Sequence, residues 1–299
     1  LSAACRLCPR GCGVDRPAGE HGYCDAGPLP TIAAMTPHFG EEPPLTGSGG
    51  AGTIFFTHCN MACVYCQNFQ ISQEGVGSTV GPAQLAEKML DLQRAECSNI
   101  EAVSPSPHLP GLLEALALAV EKGLRLPLVY NTNGYETSET LDLLDGVVDV
   151  YVPDLKYSSA QAAEQYSGAG DYVPISRAAV LQMHSQVGNL VVDMYGAAVR
   201  GLIIRHLVLP ENVAGTEDTL AWIRDNLPPT VTISLMAQYA PLHRSAEFPP
   251  LERRISEQEY DQVVDMAWDM GFDNVFIQDM DSPLSGIPDF TEDKPFNWE

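Results

Sequence analysis

Apolar and polar positions along this chain switch repeatedly between two periods. Short apolar runs predict strands over residues 53–56, 100–103, 126–130, 147–152, 201–209, 231–235 and 275–278. Helical spacing fills the intervals. Residues 82 to about 96 carry Leu85, Met89, Leu90 and Leu92 on one face, with Pro82 in the first turn. Residues 111–122 form an Ala/Leu-rich helix closed by Gly123. Further helices are expected from a Ser138 cap to Leu144, near 159–166, over 174–187 ending at Gly188, over 216–226 and over 257–270. Strand and helix in such regular alternation imply parallel β/α units and an α/β fold. Runs such as Leu202-Ile203-Ile204 and Val147-Val148 suit a sheet covered by helices.

The ends of the chain break this rhythm. Residues 1–30 are rich in Gly and Pro and show little periodicity. Residues 31–52 read as linker and turn, because Pro37, Pro43 and Pro44 interrupt regular structure and residues 47–52 are a Gly-rich run. That run lacks the Lys-Ser/Thr and helix of a phosphate loop. Residues from 281 onward are rich in Pro and Asp and are expected to lie over the surface. The expected organisation is a Cys-rich segment and linker over 1–46, a main domain over 47–280 and a tail over 281–299.

In parallel β/α folds, function gathers at the carboxyl ends of strands. The polar residues here sit there. Cys59, Cys63 and Cys66 follow the first strand, Ser104-Pro105-Ser106-Pro107-His108 the second, and Asn131-Thr132-Asn133 the third. Asp154-Leu155-Lys156 follows the fourth, Arg205 and His206 lie late in the fifth, and Met236-Ala237-Gln238-Tyr239 follows the sixth.

The spacing of Cys59, Cys63 and Cys66 is C-x3-C-x2-C. Disulfides are poor candidates for neighbouring cysteines on one loop, and no fourth Cys or His follows at a usual zinc offset. Three thiolates on one loop can instead hold three irons of a 4Fe–4S cubane and leave the fourth iron open to a ligand. A second group, Cys5, Cys8, Cys12 and Cys24, lies in the segment least able to fold by apolar burial. Four thiolates around a metal would supply the missing free energy, and either zinc or a second 4Fe–4S cluster fits. His21 is an alternative ligand there. Cys97 stands apart and reads as a buried or idle thiol.

With 299 residues, 45% of them hydrophobic, the chain can bury a sizeable core, and no apolar run approaches a membrane span. It starts without Met and so reads as part of a longer gene product. The formal charge of −23 argues against wrapping nucleic acid. Grouped cysteines, no export signal and an oxygen-sensitive open cluster together suggest a reducing cytoplasm and anaerobic chemistry.

Several phrases carry a resemblance: C-N-M-A-C-V-Y-C-Q-N-F-Q-I-S at 59–72, N-T-N-G-Y-E at 131–136, Y-V-P-D-L-K-Y at 151–157, R-H-L-V-L-P at 205–210 and S-L-M-A-Q-Y-A-P at 234–241. Together they resemble the radical S-adenosylmethionine (SAM) superfamily, in particular its pyruvate formate-lyase activating-enzyme-like group. The resemblance implies a partial (β/α)6, TIM-like barrel with the cluster and SAM at its mouth. It implies that Cys59, Cys63 and Cys66 hold the cluster and that Tyr65 lies beside adenine. Asn131 and Thr132 would lie near the ribose, Asp154 and Lys156 near SAM, and Arg205 at the SAM carboxylate with His206 as neighbour. The group's Gly-Gly-Glu segment, which receives the SAM amino group, is replaced here. Ser104 and Ser106 are the hydroxyls left to take that part.

The implied chemistry is reductive SAM cleavage, fed by a flavodoxin or ferredoxin, and hydrogen abstraction by a 5′-deoxyadenosyl radical. The target would be a glycine of a partner protein, giving a glycyl-radical enzyme. The alternatives are a small molecule or peptide as substrate, or a non-catalytic iron–sulfur electron carrier.

Overall fold

The computed structural model describes residues 3–280, 287–292 and 294–296. Seven parallel strands form its centre: β2 (Ala51–Phe56), β4 (Ile100–Val103), β5 (Leu128–Thr132), β6 (Val150–Pro153), β8 (Ala198–Leu207), β9 (Thr232–Met236) and β10 (Val275–Ile277). Three more strands, β1 (Thr31–His38), β3 (Ser78–Thr79) and β7 (Val191–Val192), add antiparallel pairings. The sheet runs β10-β9-β8-β6-β5-β4-β2-β1-β3, with β7 paired to β8. It is open: β10 and β3 are its two ends. This is the α/β fold that the alternating pattern predicts, in the form of the partial barrel that the resemblance implies.

Every residue of β2, β4, β6 and β9 is buried, so both faces of the central sheet are covered. The cover comes from α3 (Pro82–Arg94), α4 (Leu109–Glu121), α5 (Ser138–Leu144), α6 (Ala160–Ser167), α7 (Tyr172–Val187), α8 (Thr216–Asn226) and α9 (Glu257–Asp269). Of two single-turn helices, α1 (Pro43–Thr46) packs Leu45 against Val129, Val150 and Ile203, and α2 (Phe69–Ser72) packs Ile71 against Phe55 and Val103. Leu85 and Met89 of α3 and Leu112 of α4 join Ile54, Ile100 and Leu128 in the largest apolar cluster. Among the described residues no helix is long and apolar enough to cross a membrane.

The stretch 31–52, expected as linker, holds β1 and α1. β1 runs antiparallel to β2, with Pro37 opposite Gly52. A proline is tolerated because β3 pairs only with Thr31 and Ile32, so at Pro37 β1 is an edge strand with β2 on one side and no partner strand on the other. The glycine run exists for close packing: a Cβ on Gly49 would lie 1.9 Å from the Glu96 carbonyl oxygen, and one on Gly52 2.4 Å from that of Asn99.

Smaller differences have local causes. Thr137, not Ser138, caps α5, accepting a hydrogen bond from the Thr140 amide at 3.2 Å. β5 begins and ends two residues later than the pattern suggests, so Asn131 and Thr132 are its last residues. The tail is not confined to the surface. Phe290 is buried, with ring centroids 5.3 Å from Phe55 and 5.9 Å from Phe296. Both rings pack against Phe55 of β2. Positions 281–286, 293 and 297–299 of the expected tail lie outside the described residues.

Candidate active site

A cavity of about 580 Å³ opens at the carboxyl ends of the parallel strands. Its floor is the loop after β2. His58 takes a φ of 61° and turns the chain out of the strand, and its amide donates to the Ile71 carbonyl at 2.8 Å. The Asn60 side chain donates to the Tyr135 carbonyl at 2.8 Å, and the Val64 amide to the Tyr166 carbonyl at 2.9 Å. Met61, Val64 and Tyr65 anchor the loop in a Tyr-rich cluster with Tyr135, Tyr157 and Tyr172. Cys59, Cys63 and Cys66 are left lining the cavity together with His58 and Tyr65.

Each sulfur has a polar neighbour. Asn133 Nδ2 and the Met61 amide each donate to Cys59 Sγ at 3.4 Å. Ser167 Oγ donates to Cys63 Sγ at 2.9 Å, and Ser72 Oγ lies 3.2 Å from Cys66 Sγ. Burial, joined by mutual repulsion, pushes Cys59 up to about 12 and Cys66 up to about 11, and burial raises Cys63. Three clustered thiolates in this setting require positive charge, which iron supplies. Among the described residues no three His, Cys, Asp or Glu side chains converge on one ion position. A cubane presents its irons at separate corners, so its ligands need not converge on a point. The donor set fits a three-thiolate 4Fe–4S cluster.

Of the strand-end residues singled out by sequence, Ser104, Asn131, Asp154, Lys156 and Arg205 line the same cavity, as does Tyr65. Ser104 holds a φ of 52°. Lys156 Nζ contacts Asp154 Oδ2 at 2.5 Å. Burial works against its charge, but Asp154 and Cys63 outweigh burial and hold the amine above its ordinary range. The Tyr65 hydroxyl lies 2.7 Å from that of Tyr157, which lies 2.7 Å from Ser167 Oγ, extending the chain of hydrogen bonds to Cys63.

Arg205 lies among carboxylates. Its Nε donates to Glu42 Oε1 at 2.8 Å, and its NH2 group contacts both Glu41 and Glu42. Burial would raise Glu41, but Arg205 and His38 win and lower it to about 2. Glu101, also buried, is pushed up to about 8 by burial and by Glu41, although Asn131 Nδ2 donates to it at 2.7 Å. Glu41 and Glu42 escaped notice because they fall in the stretch read as linker. Their signal was two adjacent acids before Pro43 in a segment otherwise nearly free of charge.

Three residues sit elsewhere. Ser106 and Thr132 are outside the lining; both donate to Glu136 Oε1, Thr132 at 2.6 Å, with the Tyr130 hydroxyl 3.4 Å away. His206 Nδ1 lies 2.6 Å from the Leu155 carbonyl and Nε2 lies 2.9 Å from Thr216 Oγ1, a fully buried histidine with both nitrogens engaged. Asn133, Gln67, Gln238 and Gln278 line the cavity although the sequence reading gave them no role. Asn133 also donates to Asn60 Oδ1 at 2.7 Å, so it braces the cysteine loop.

The N-terminal cysteines lie behind the loop. Arg10 Nε donates to the Asn60 carbonyl at 2.9 Å and the guanidinium stacks 3.8 Å over the Tyr23 ring. Cys5 is buried, Cys8 and Cys24 partly so, and Cys12 exposed. His21 pairs with Asp25 at 2.8 Å on the surface.

Residues 53–172 match the family model described as the Radical SAM superfamily. The chain is also 31% identical over 282 residues to an uncharacterized protein of Methanocaldococcus jannaschii, an alignment covering 91% of this chain and 76% of that relative.

Proposed function

We infer the function from one premise: the chain belongs to the radical SAM superfamily. It is a radical SAM enzyme whose cofactors are a 4Fe–4S cluster and SAM. When bound, these supply one-electron cleavage of the sulfonium to methionine and a 5′-deoxyadenosyl radical. The observation that carries the assignment is that Cys59, Cys63 and Cys66 share one cavity with the strand-end polar residues of four further strands.

We propose roles for those residues. Arg205 is already matched by two carboxylates, so the Glu41–Glu42–Arg205 set is net negative. It suits the SAM ammonium rather than the carboxylate, and supplies the acid that the missing Gly-Gly-Glu would have given. Lys156, kept protonated by Asp154, is the cation left for the SAM carboxylate. Ser104 and Asn131 offer hydrogen bonds to the ribose, and Tyr65 packs beside the adenine.

For the substrate we propose a glycine of a partner protein. Supporting this is a run of carboxamides on the cavity wall. Gln67 Nε2 donates to the Gln238 carbonyl at 2.6 Å, and Gln278 Nε2 to Gln238 Oε1 at 3.2 Å. Such groups pair with backbone amides as a strand does, and the open sheet admits an extended segment. The electron donor is a flavodoxin or ferredoxin, and the setting is an anaerobic cytoplasm.

The test is anaerobic. Protein reconstituted with iron and sulfide, then given dithionite and SAM, is expected to yield 5′-deoxyadenosine. The Cys59/Cys63/Cys66→Ala variant should yield none. Deuterium passing into 5′-deoxyadenosine from a glycine-deuterated partner, with a glycyl-radical resonance, would support the protein substrate. SAM that neither binds nor is cleaved by a protein with an intact cluster would sink the assignment.

A further inference from the structure

Arg16 is a buried cation without a carboxylate. It is 4% exposed. Its NH1 donates to the Pro107 carbonyl at 2.5 Å, and its NH2 reaches Cys5 Sγ at 3.1 Å and Cys24 Sγ at 3.5 Å. Its Nε is buried with no hydrogen-bond partner, and among the described residues no acid pairs with it. A guanidinium taken out of water needs an anion. The anionic groups in reach are the two sulfurs, provided they are thiolates.

The backbone around them folds the cysteine segment into one knot; among the described residues no three of its sulfurs converge on one ion position, which the separate corners of a cubane do not require. The Gly11 amide donates to the Cys8 carbonyl at 3.0 Å, and that of Gly13 to the Cys5 carbonyl at 2.9 Å, both glycines in the left-handed region at φ 51° and 69°. These turns fold Cys5, Cys8 and Cys12 back on themselves. The Tyr23 amide donates to Cys12 Sγ at 3.3 Å, which ties the Cys24 strand of the segment to the same knot. A Cβ on Gly22 would stand 3.0 Å from Cys12 Sγ, so a side chain there would crowd the sulfur. Apolar burial here is sparse: between residues 3 and 30 the buried apolar residues are Cys5, Leu7, Ala26 and Pro30, of which Cys5 and Leu7 join the main apolar cluster.

We propose that Cys5, Cys8, Cys12 and Cys24 bind a metal centre as four thiolates, with Arg16 as its built-in counter-cation. Zinc and a 4Fe–4S cluster share this chemistry, and metal and sulfide content separates them. The centre backs onto the cavity loop through Arg10 and Asn60, but it is independent of SAM and can be tested without it.

The full chain carrying Cys59/Cys63/Cys66→Ala reports on this site alone. Purified with zinc, or reconstituted anaerobically with iron and sulfide, it is expected to retain about one zinc, or about four iron with four sulfide, per chain. Adding Cys8→Ala and Cys24→Ala should abolish that content. A folded triple variant that holds neither metal after both treatments overturns the proposal. Arg16→Gln should release its metal to a chelator about tenfold faster, as loss of a charge-assisted contact implies. An unchanged release rate overturns the counter-cation role. If Arg16→Gln does not fold, Arg16→Lys, which keeps the charge, must still hold the metal.

Discussion

Two groups of cysteines in this chain owe their positions to different forces. Cys59, Cys63 and Cys66 stand on a loop that a fully buried strand delivers and that Met61, Val64 and Tyr65 anchor. Cys5, Cys8, Cys12 and Cys24 stand on glycine turns beside a buried arginine, in a segment that reaches the main apolar cluster through Cys5, Leu7 and Val14 alone. The first group is held by the protein, and we propose that it holds the cluster. The second group is held by local turns, and we propose that its metal completes the order. The same ligand type therefore carries opposite dependencies: in one place the fold prepares the site, in the other the site completes the fold.

The largest expected effect breaks the first half of that contrast from the second. Replacing Cys59, Cys63 and Cys66 together by Ala should remove all 5′-deoxyadenosine formation while leaving the far-ultraviolet dichroism and the cooperative unfolding transition in place, because the sheet supplies the loop's position. A triple variant that loses its cooperative transition would show that the cavity loop depends on metal as much as the N-terminal segment does.

The second effect concerns charge within the cavity. Arg205→Leu leaves Glu41 and Glu42 buried without their cation. Removing one partner of a buried ion set costs roughly 3–5 kcal/mol, read as a lowered urea midpoint. Lys156→Met removes a cation with a single partner, Asp154, and should cost less stability while weakening SAM binding, measured by calorimetry. If Arg205→Leu were neutral, the carboxylates would be relieved by solvent and the proposed ammonium site would lose its basis.

How much of this was legible follows the same division. The parallel strands announced themselves because burial on both faces forces continuous apolar runs such as Leu202-Ile203-Ile204. The cysteine loop was legible because three ligands must be close in sequence to share a loop. The Glu41–Glu42 pair was not, since its meaning lies in Arg205, 163 positions away from Glu42, and no local period encodes that distance. β1 was hidden for a related reason: its residues are half-buried, without clean alternation, and its pairing is dictated by β2. His206 read as a site residue from its place beside Arg205, but successive residues of a strand point to opposite faces. Ser106 and Thr132 were likewise placed near the ligand by position alone, while the fold turns both toward Glu136.

Glu136 sharpens the comparison with Glu41. Both carboxyls are buried, but Glu136 has only hydroxyl donors and no cation, so burial wins and raises it to about 7, with Ser106, Thr132 and Tyr130 holding it partly down. Its folded value lies above its ordinary 4.5. It therefore adds stability that is full below about pH 4.5 and is lost as pH rises through about 7. The displacement corresponds to roughly 3 kcal/mol. Glu136→Gln should remove this contribution to the pH dependence of unfolding free energy between pH 5 and 8; Glu101, raised to about 8, still makes stability fall there, and the buried His108 and His206, lowered to about 3 and about 4, make it rise up to about pH 6.5. An unchanged slope in urea titrations across that range would place Glu136 ionised in the fold.

The smallest effect comes from the eighth cysteine. Cys97 is 3% exposed and packs with Leu92 and Ile100 in the main apolar cluster, where a Cβ added at Gly52 would stand 3.2 Å from its Cβ. It has neither a ligand loop nor a turn of glycines around it, and burial raises its thiol. Cys97→Ala should cost about 1 kcal/mol, the loss of one small buried group, with metal content and 5′-deoxyadenosine formation unchanged. That outcome would separate burial of a cysteine from use of one. In this chain the seven cysteines assigned to metal each have polar donors, an arginine or shared turns beside them, and Cys97 has only apolar packing. A loss of iron or zinc in Cys97→Ala would mean that packing beneath β2 reaches the metal sites, and the contrast between a fold that prepares one centre and a metal that completes the other would no longer hold.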